Sequence, residues 1–197
     1  MKTQYTLSIL LLSLLLALPV YGQTEKSLAP GYSMSIEGTS NVRDWEAEIG
    51  TMEGSLQIRN TDGIELAALQ PGDFSSLQLR IPVQDIDTDT RRLTRNLKDY
   101  LKGDEHPIIT FELQQITSLE GSGNRVQIKA VGVVTAAGQS HTTQMNVTAE
   151  RGDDGSLTFS GSQPLKMTEF GISPPTAMMG AIRAVDDITI HYNVRFN

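Results

Sequence analysis

The chain has no cysteine among its 197 residues. Disulfides, thiolate metal sites, cysteine nucleophiles and a lipoprotein anchor on a diacylated cysteine are therefore excluded. Its three histidines are scattered. His106 precedes Pro107 in a turn, His141 follows a hairpin-type turn, and His191 falls on the polar phase of the last strand. No two of them stand at metal-ligand spacing, so no metal is expected. A Ser/His/Asp signature and a glycine-rich phosphate loop are also missing, which leaves neither a cofactor nor an enzyme in expectation. Cations are scarce: 16 Lys and Arg stand against 23 Asp and Glu, a net charge of −7. Such a chain is unsuited to coat nucleic acid or to sit on an anionic membrane, and a neutral or amphiphilic partner suits it better.

Long apolar runs are absent except at the start, Leu7–Val20, behind Lys2. The run is too short and too early for a spanning helix, and small residues follow it. It reads as a secretory signal peptide over 1–22, cleaved after Gly22, with Val20 at the −3 position. Residues 23–197 remain as one domain of a size that needs no staple. The expected location is the periplasm or the cell exterior.

What fills the domain is period-two alternation, which makes one face of a strand apolar and the other wet. Ile188, Ile190, Tyr192, Val194 and Phe196 alternate with Thr189, His191, Asn193 and Arg195. The same phase runs through Tyr32–Ile36, Trp45–Ile58, Leu77–Val83, Ile109–Leu113, Val126–Val134, Met145–Ala149 and Leu157–Leu165. A phase slip near Met52–Gly54 predicts a bulge at Gly54. Turn residues at 60–63, 71–72, 121–123, 137–138 and 152–155 separate these runs. The pattern predicts an all-β, antiparallel, eight-stranded barrel.

One helix interrupts it. Leu93, Leu97, Tyr100 and Leu101 share a face, so the spacing predicts a helix over about 88–102, capped by Thr88 or Asp87 and ended by Gly103. That amphipathic helix is expected to cover an open end of the barrel. The segment Thr168–Ala184 is unusually apolar for a loop and carries Pro174–Pro175, so it either packs over the barrel or lines an entrance.

Three groups of segments resemble the YceI-like family of exported bacterial proteins. They are Gly38–Glu46 with Gly54–Leu56, then Leu97–Phe111 with its leucine-anchored helix, proline and Ile-Thr-Phe strand start, and finally Val131–Gly138 with Thr168–Ile172. The resemblance spans essentially the whole of 23–197. It implies a lipocalin-like barrel that holds polyisoprenoids or other long amphiphilic lipids, with no established catalytic residues. The family often has a histidine where this chain has Arg43.

Two states of the barrel interior stay open. Eight strands lie at the boundary between a side-chain-filled core and room for one ligand. In the filled state the protein would act through its surface, as a non-catalytic envelope structural or stress protein, and Trp45 would be a core plug. In the hollow state the inward residues Ile36, Trp45, Leu79, Ile81, Phe111, Leu113, Met145, Phe159, Phe170, Ile190 and Tyr192 would meet a polyprenyl- or quinone-type chain. Small inward residues (Gly38, Ala47, Ala130, Gly132, Ala149, Gly161) would make the room. Arg43, Arg91, Arg95 and Lys98 would contact the head group, although the helix cations read equally as a solvated face. Asp85–Asp89 begins like a calcium loop, but Thr90 and Asn96 occupy the positions that need glycine and glutamate. Asp186 and Asp187 point to opposite faces of a strand and so form no catalytic pair. A homodimer is compatible with the sequence and not required by it.

Overall fold

The computed structural model describes residues 22–59 and 63–197. The expected signal peptide, but for Gly22, and the tip of the 60–63 turn lie outside them. The strands are β1 (Gln23–Ser27), β2 (Ser33–Ser40), β3 (Trp45–Ile49), β4 (Glu53–Arg59), β5 (Phe74–Pro82), β6 (Ile86–Thr88), β7 (Ile108–Ser122), β8 (Arg125–Ala136), β9 (Gln139–Arg151), β10 (Leu157–Lys166), β11 (Thr176–Ala177) and β12 (Ile182–Phe196). The helix α1 spans Arg91–Tyr100 between β6 and β7.

All strand pairs are antiparallel, in the order β1-β4-β5-β7-β8-β9-β10-β12-β2-β3-β6, with β11 paired to β12. The expected count of eight is corrected to twelve. One expected strand is broken in two at 50–52, into β3 and β4, and beyond the expected strand that ends at Val83 a further short strand, β6, takes the place of the expected helix cap. The 50–52 and 83–85 segments face each other across Ile49↔Ile86 and Glu53↔Arg80, joined by Gly50 N–H donating to the Asp85 carbonyl at 2.7 Å. The slip expected at Gly54 thus falls at 50–52. Gly54 itself pairs with Leu79, and an added Cβ would come within 2.7 Å of that side chain. The short strands β1 and β11 carry too little alternation to be read from sequence.

At this double corner the sheet bends back on itself. β3 joins β2 on one side and β6 on the other, and β6 continues through a 3-10 turn into β5. The long strands β7 and β12 carry register shifts that help them curl, since an extra residue on one strand bends it. The result is a curled sheet around an interior.

One end of that interior is solid. Leu56, Ile58, Leu66, Leu69, Val126, Leu157 and Phe196 are at most 2% exposed. Phe196 meets Phe159 edge-to-face, and the chain end is tied to β1 through the Leu28↔Phe196 bridge and the Ser27–Asn197 hydrogen bonds. Each such fully buried side chain contributes about 1.5–3 kcal/mol before entropy costs.

The other end is covered by α1, which is shorter than expected because 86–88 is extended and pairs with β3. Its cap is Thr90, not Thr88 or Asp87. The Thr90 hydroxyl accepts Leu93 N–H at 3.3 Å, while Thr94 Oγ1 accepts Thr88 N–H at 2.9 Å. At its C-terminus Gly103 N–H bonds to Lys98 O and Lys102 N–H to Asp99 O. This reciprocal pair requires a left-handed residue, which is Lys102 at φ 52°. Gly103 is needed for a different reason: a Cβ there would come within 2.8 Å of Val83.

Candidate functional site

Between the solid end and α1 lies a cavity of about 520 Å³. Small-molecule sites typically occupy roughly 300–1,000 Å³. All eleven inward residues expected to meet a ligand line it: Ile36, Trp45, Leu79, Ile81, Phe111, Leu113, Met145, Phe159, Phe170, Ile190 and Tyr192. Leu93, Leu97, Tyr100 and Leu101 of α1 form its lid. The helix therefore buries its apolar stripe over space rather than over packed side chains. The interior is not solid throughout; the filled state holds at one end only.

Glycine keeps the space open. Trp45 lies flat over its cross-strand partner Gly38, where an added Cβ would fall inside the indole ring. Phe111 lies over Gly132 in the same way, two residues along the strand from Leu113, the direct partner of that glycine. Tyr192 lies over its partner Gly161, with the hydroxyl 2.6 Å from where a Cβ would stand. Three large rings are thus pressed against the wall instead of projecting inward.

The lining is apolar except for a small polar group. Gln163 Nε2 donates to Thr143 Oγ1 at 2.9 Å, and both residues are 8% exposed. The Tyr192 hydroxyl is buried and has no hydrogen-bond partner among the described residues. Burial disfavours its phenolate and pushes the pKa up to about 12, so the ring carries a neutral O–H. Thr143 and Gln163 were missed by the sequence reading. Their signal is simple: each is a polar residue in the inward phase, Thr143 before Met145 and Gln163 between Gly161 and Leu165.

The cavity reaches the surface between α1, the 40–43 turn and the 174–184 segment, where its lining residues Val42, Arg43, Arg92 and Met178 are exposed. The apolar 168–184 stretch divides between two tasks. Phe170 and Ile172 pack against the core, and the remainder frames the mouth.

The cations expected at a head group divide between two places. Arg91, Arg95 and Lys98 do not border the cavity; they line an outer groove with Asp87, Asp89, Asp99, Asp104 and Glu105. Lys98 donates to the Gln84 carbonyl at 2.6 Å and faces Asp87 at 3.4 Å. The cause is the helical period, which places these three opposite Leu93 and Leu97. Arg43 does border the mouth, paired with Asp89 at 3.1 Å. The cation that was overlooked is Arg92, which flanks the leucine stripe and borders the cavity with Asn96.

Several titratable groups outside the cavity have local partners. His141 stacks edge-on to Phe170 and stands 3.6 Å from Glu169; His191 faces Glu37 at 3.0 Å. Asp186 accepts Thr168 Oγ1 at 2.7 Å and Thr168 N–H at 2.9 Å, which holds its carboxyl below the usual range. Asp187 pairs with Lys166 at 2.6 Å.

A curled antiparallel sheet, solid at one end and hollow beneath a helical lid at the other, defines an all-β half-barrel with an internal cavity. The chain belongs to the YceI-like family: the model of the YceI-like domain matches residues 32–196. Among solved structures, BcnA of Burkholderia cenocepacia matches with a TM-score of 0.60 at 18% identity, over 83% of this chain and 95% of that one. A polyisoprenoid binding domain from Saccharophagus degradans, implicated in plant cell wall breakdown, matches at 0.66 and 9% identity, over 89% and 99%. The Campylobacter jejuni YCEI protein matches at 0.51 and 19% identity, over 76% and 82%. At these identities the likeness is one of fold. No curated protein matches the sequence significantly.

Proposed function

We propose that this protein binds a long amphiphile with an isoprenoid-like chain, of polyprenyl or quinone type, and carries or sequesters it in the cavity without chemical change. The observation that carries the reading is the apolar hollow of about 520 Å³ between a sealed end and an apolar helical lid. The polyisoprenoid-binding domain with the same fold supports the ligand class. The apolar run at 7–20 supports export to the periplasm or beyond.

The energetics suit this reading. Burial of a chain contributes about 0.8 kcal/mol per CH₂. Ten buried carbons therefore supply roughly 8 kcal/mol, the scale of micromolar affinity before entropy costs. Affinity needs no charged group.

Native mass spectrometry of the purified protein, with solvent extraction of whatever travels with it, tests the proposal. The expected result is one lipid per chain, either co-purified or taken up from added polyprenol or ubiquinone. Protein that is empty and stays empty with both additives overturns it.

A further inference from the structure

Four large apolar side chains stand exposed among the described residues, and three of them crowd the mouth: Val42 at 64%, Met178 at 72% and Met179 at 108% exposure. The segments that carry them are clipped together. Asn41 Nδ2 donates to the Ala181 carbonyl at 2.9 Å, and Asn41 Oδ1 accepts Arg183 N–H at 2.8 Å. Ser40 Oγ accepts the N–H groups of Val42 and Arg43 at 3.2 and 3.1 Å. Val42 and Met178 are also the outermost part of the cavity lining, so exterior patch and apolar lumen form one continuous surface.

Charge is distributed unevenly in the same place. Arg43, Arg92 and Arg183 stand at the rim against Asp44 and Asp89, in a chain whose net charge is −7, while Arg91 and Arg95 lie round the helix in the acid-lined outer groove. An acidic molecule with one arginine-rich apolar face approaches an anionic surface in one orientation.

We propose that the mouth face docks on an anionic phospholipid bilayer. Val42, Met178 and Met179 enter the interface and the rim arginines meet phosphate groups, so that the lumen opens directly onto the acyl region. A lipid could then pass between bilayer and barrel without crossing water. The purpose of this docking rests on the cavity being a lipid site, but its occurrence does not.

The test is flotation of the purified protein, its N-terminus defined by mass spectrometry, with vesicles of phosphatidylcholine alone or with added phosphatidylglycerol. Binding is expected to require phosphatidylglycerol, to weaken with salt, and to fall at least about fivefold in the double variant Met178→Ser/Met179→Ser. Undiminished flotation of that variant overturns the proposal. Should it fold poorly, the absence of cysteine permits a single environment-sensitive label at Met179→Cys, with Ser122→Cys at the far end of β7 as reference. A blue shift at 179 alone on adding anionic vesicles supports docking; no shift, or equal shifts at both positions, overturns it. The lipid content of the same preparations separates the two ideas. Empty protein that docks defeats the carrier reading, and loaded protein that does not dock defeats only this one.

Discussion

At the residue scale the most informative group is the Tyr192 hydroxyl, a buried donor with no protein acceptor. An unpaired buried hydroxyl costs stability, so Tyr192→Phe is expected to leave folding stability unchanged or raise it by up to about 1 kcal/mol, read by urea denaturation. Asp186 gives a second test. Its folded carboxyl lies below the ordinary aspartate range because Thr168 donates to it. The stability this provides is present above the unfolded pKa of about 3.9 and is lost as pH falls through the lower folded value. Thr168→Val should bring the Asp186 titration back toward the ordinary value, seen by NMR, and should flatten the acid limb of the stability curve.

At the scale of elements, α1 is the part whose loss would alter the site most. Thr90 holds its first turn, and Thr90→Ala is expected to cost about 1 kcal/mol in thermal unfolding. If the lid loosens before the sheet does, the same variant should release bound lipid faster at temperatures where the sheet is intact, as followed by stopped-flow transfer to acceptor vesicles. How far the elements could be read from sequence follows from how their faces are used. Strands with one wet and one apolar face show alternation, clear over 126–130 of β8 and 188–196 of β12 and lost at Val131–Val134 and Val185–Asp187. The helix was visible through Leu93 and Leu97, but its first turn was not, because Thr88 and Asp87 resemble caps while their backbone pairs with β3. The double corner at 50–52 and 83–85 was read as a bulge at Gly54, since only the Gly50–Asp85 hydrogen bond reveals that two breaks coincide. The eleven apolar wall residues followed directly from inward phase. Thr143 and Gln163 obey the same rule, but their polarity hides them in an apolar phase, and Arg92 is hidden because it flanks the leucine stripe, off the cation stripe of Arg91, Arg95 and Lys98.

At the scale of the molecule, the barrel has two halves with different mechanical roles. Ile58 belongs to the solid end and Ile190 to the cavity wall. The same truncation should separate them. Ile58→Ala is expected to cost about 4 kcal/mol and Ile190→Ala about 2 or less, because a side chain bordering empty space has fewer contacts to lose. Chemical denaturation of lipid-free protein measures both, and saturating lipid should raise the stability of each variant by mass action. The rings set over Gly38, Gly132 and Gly161 belong to three different strands of the wall: Trp45 opens β3, Phe111 lies in β7, and Tyr192 stands four residues short of Phe196 in β12. A methyl group added beneath any one of them would tip its ring across the bore, and the place of that obstruction would set the longest tail the barrel accepts.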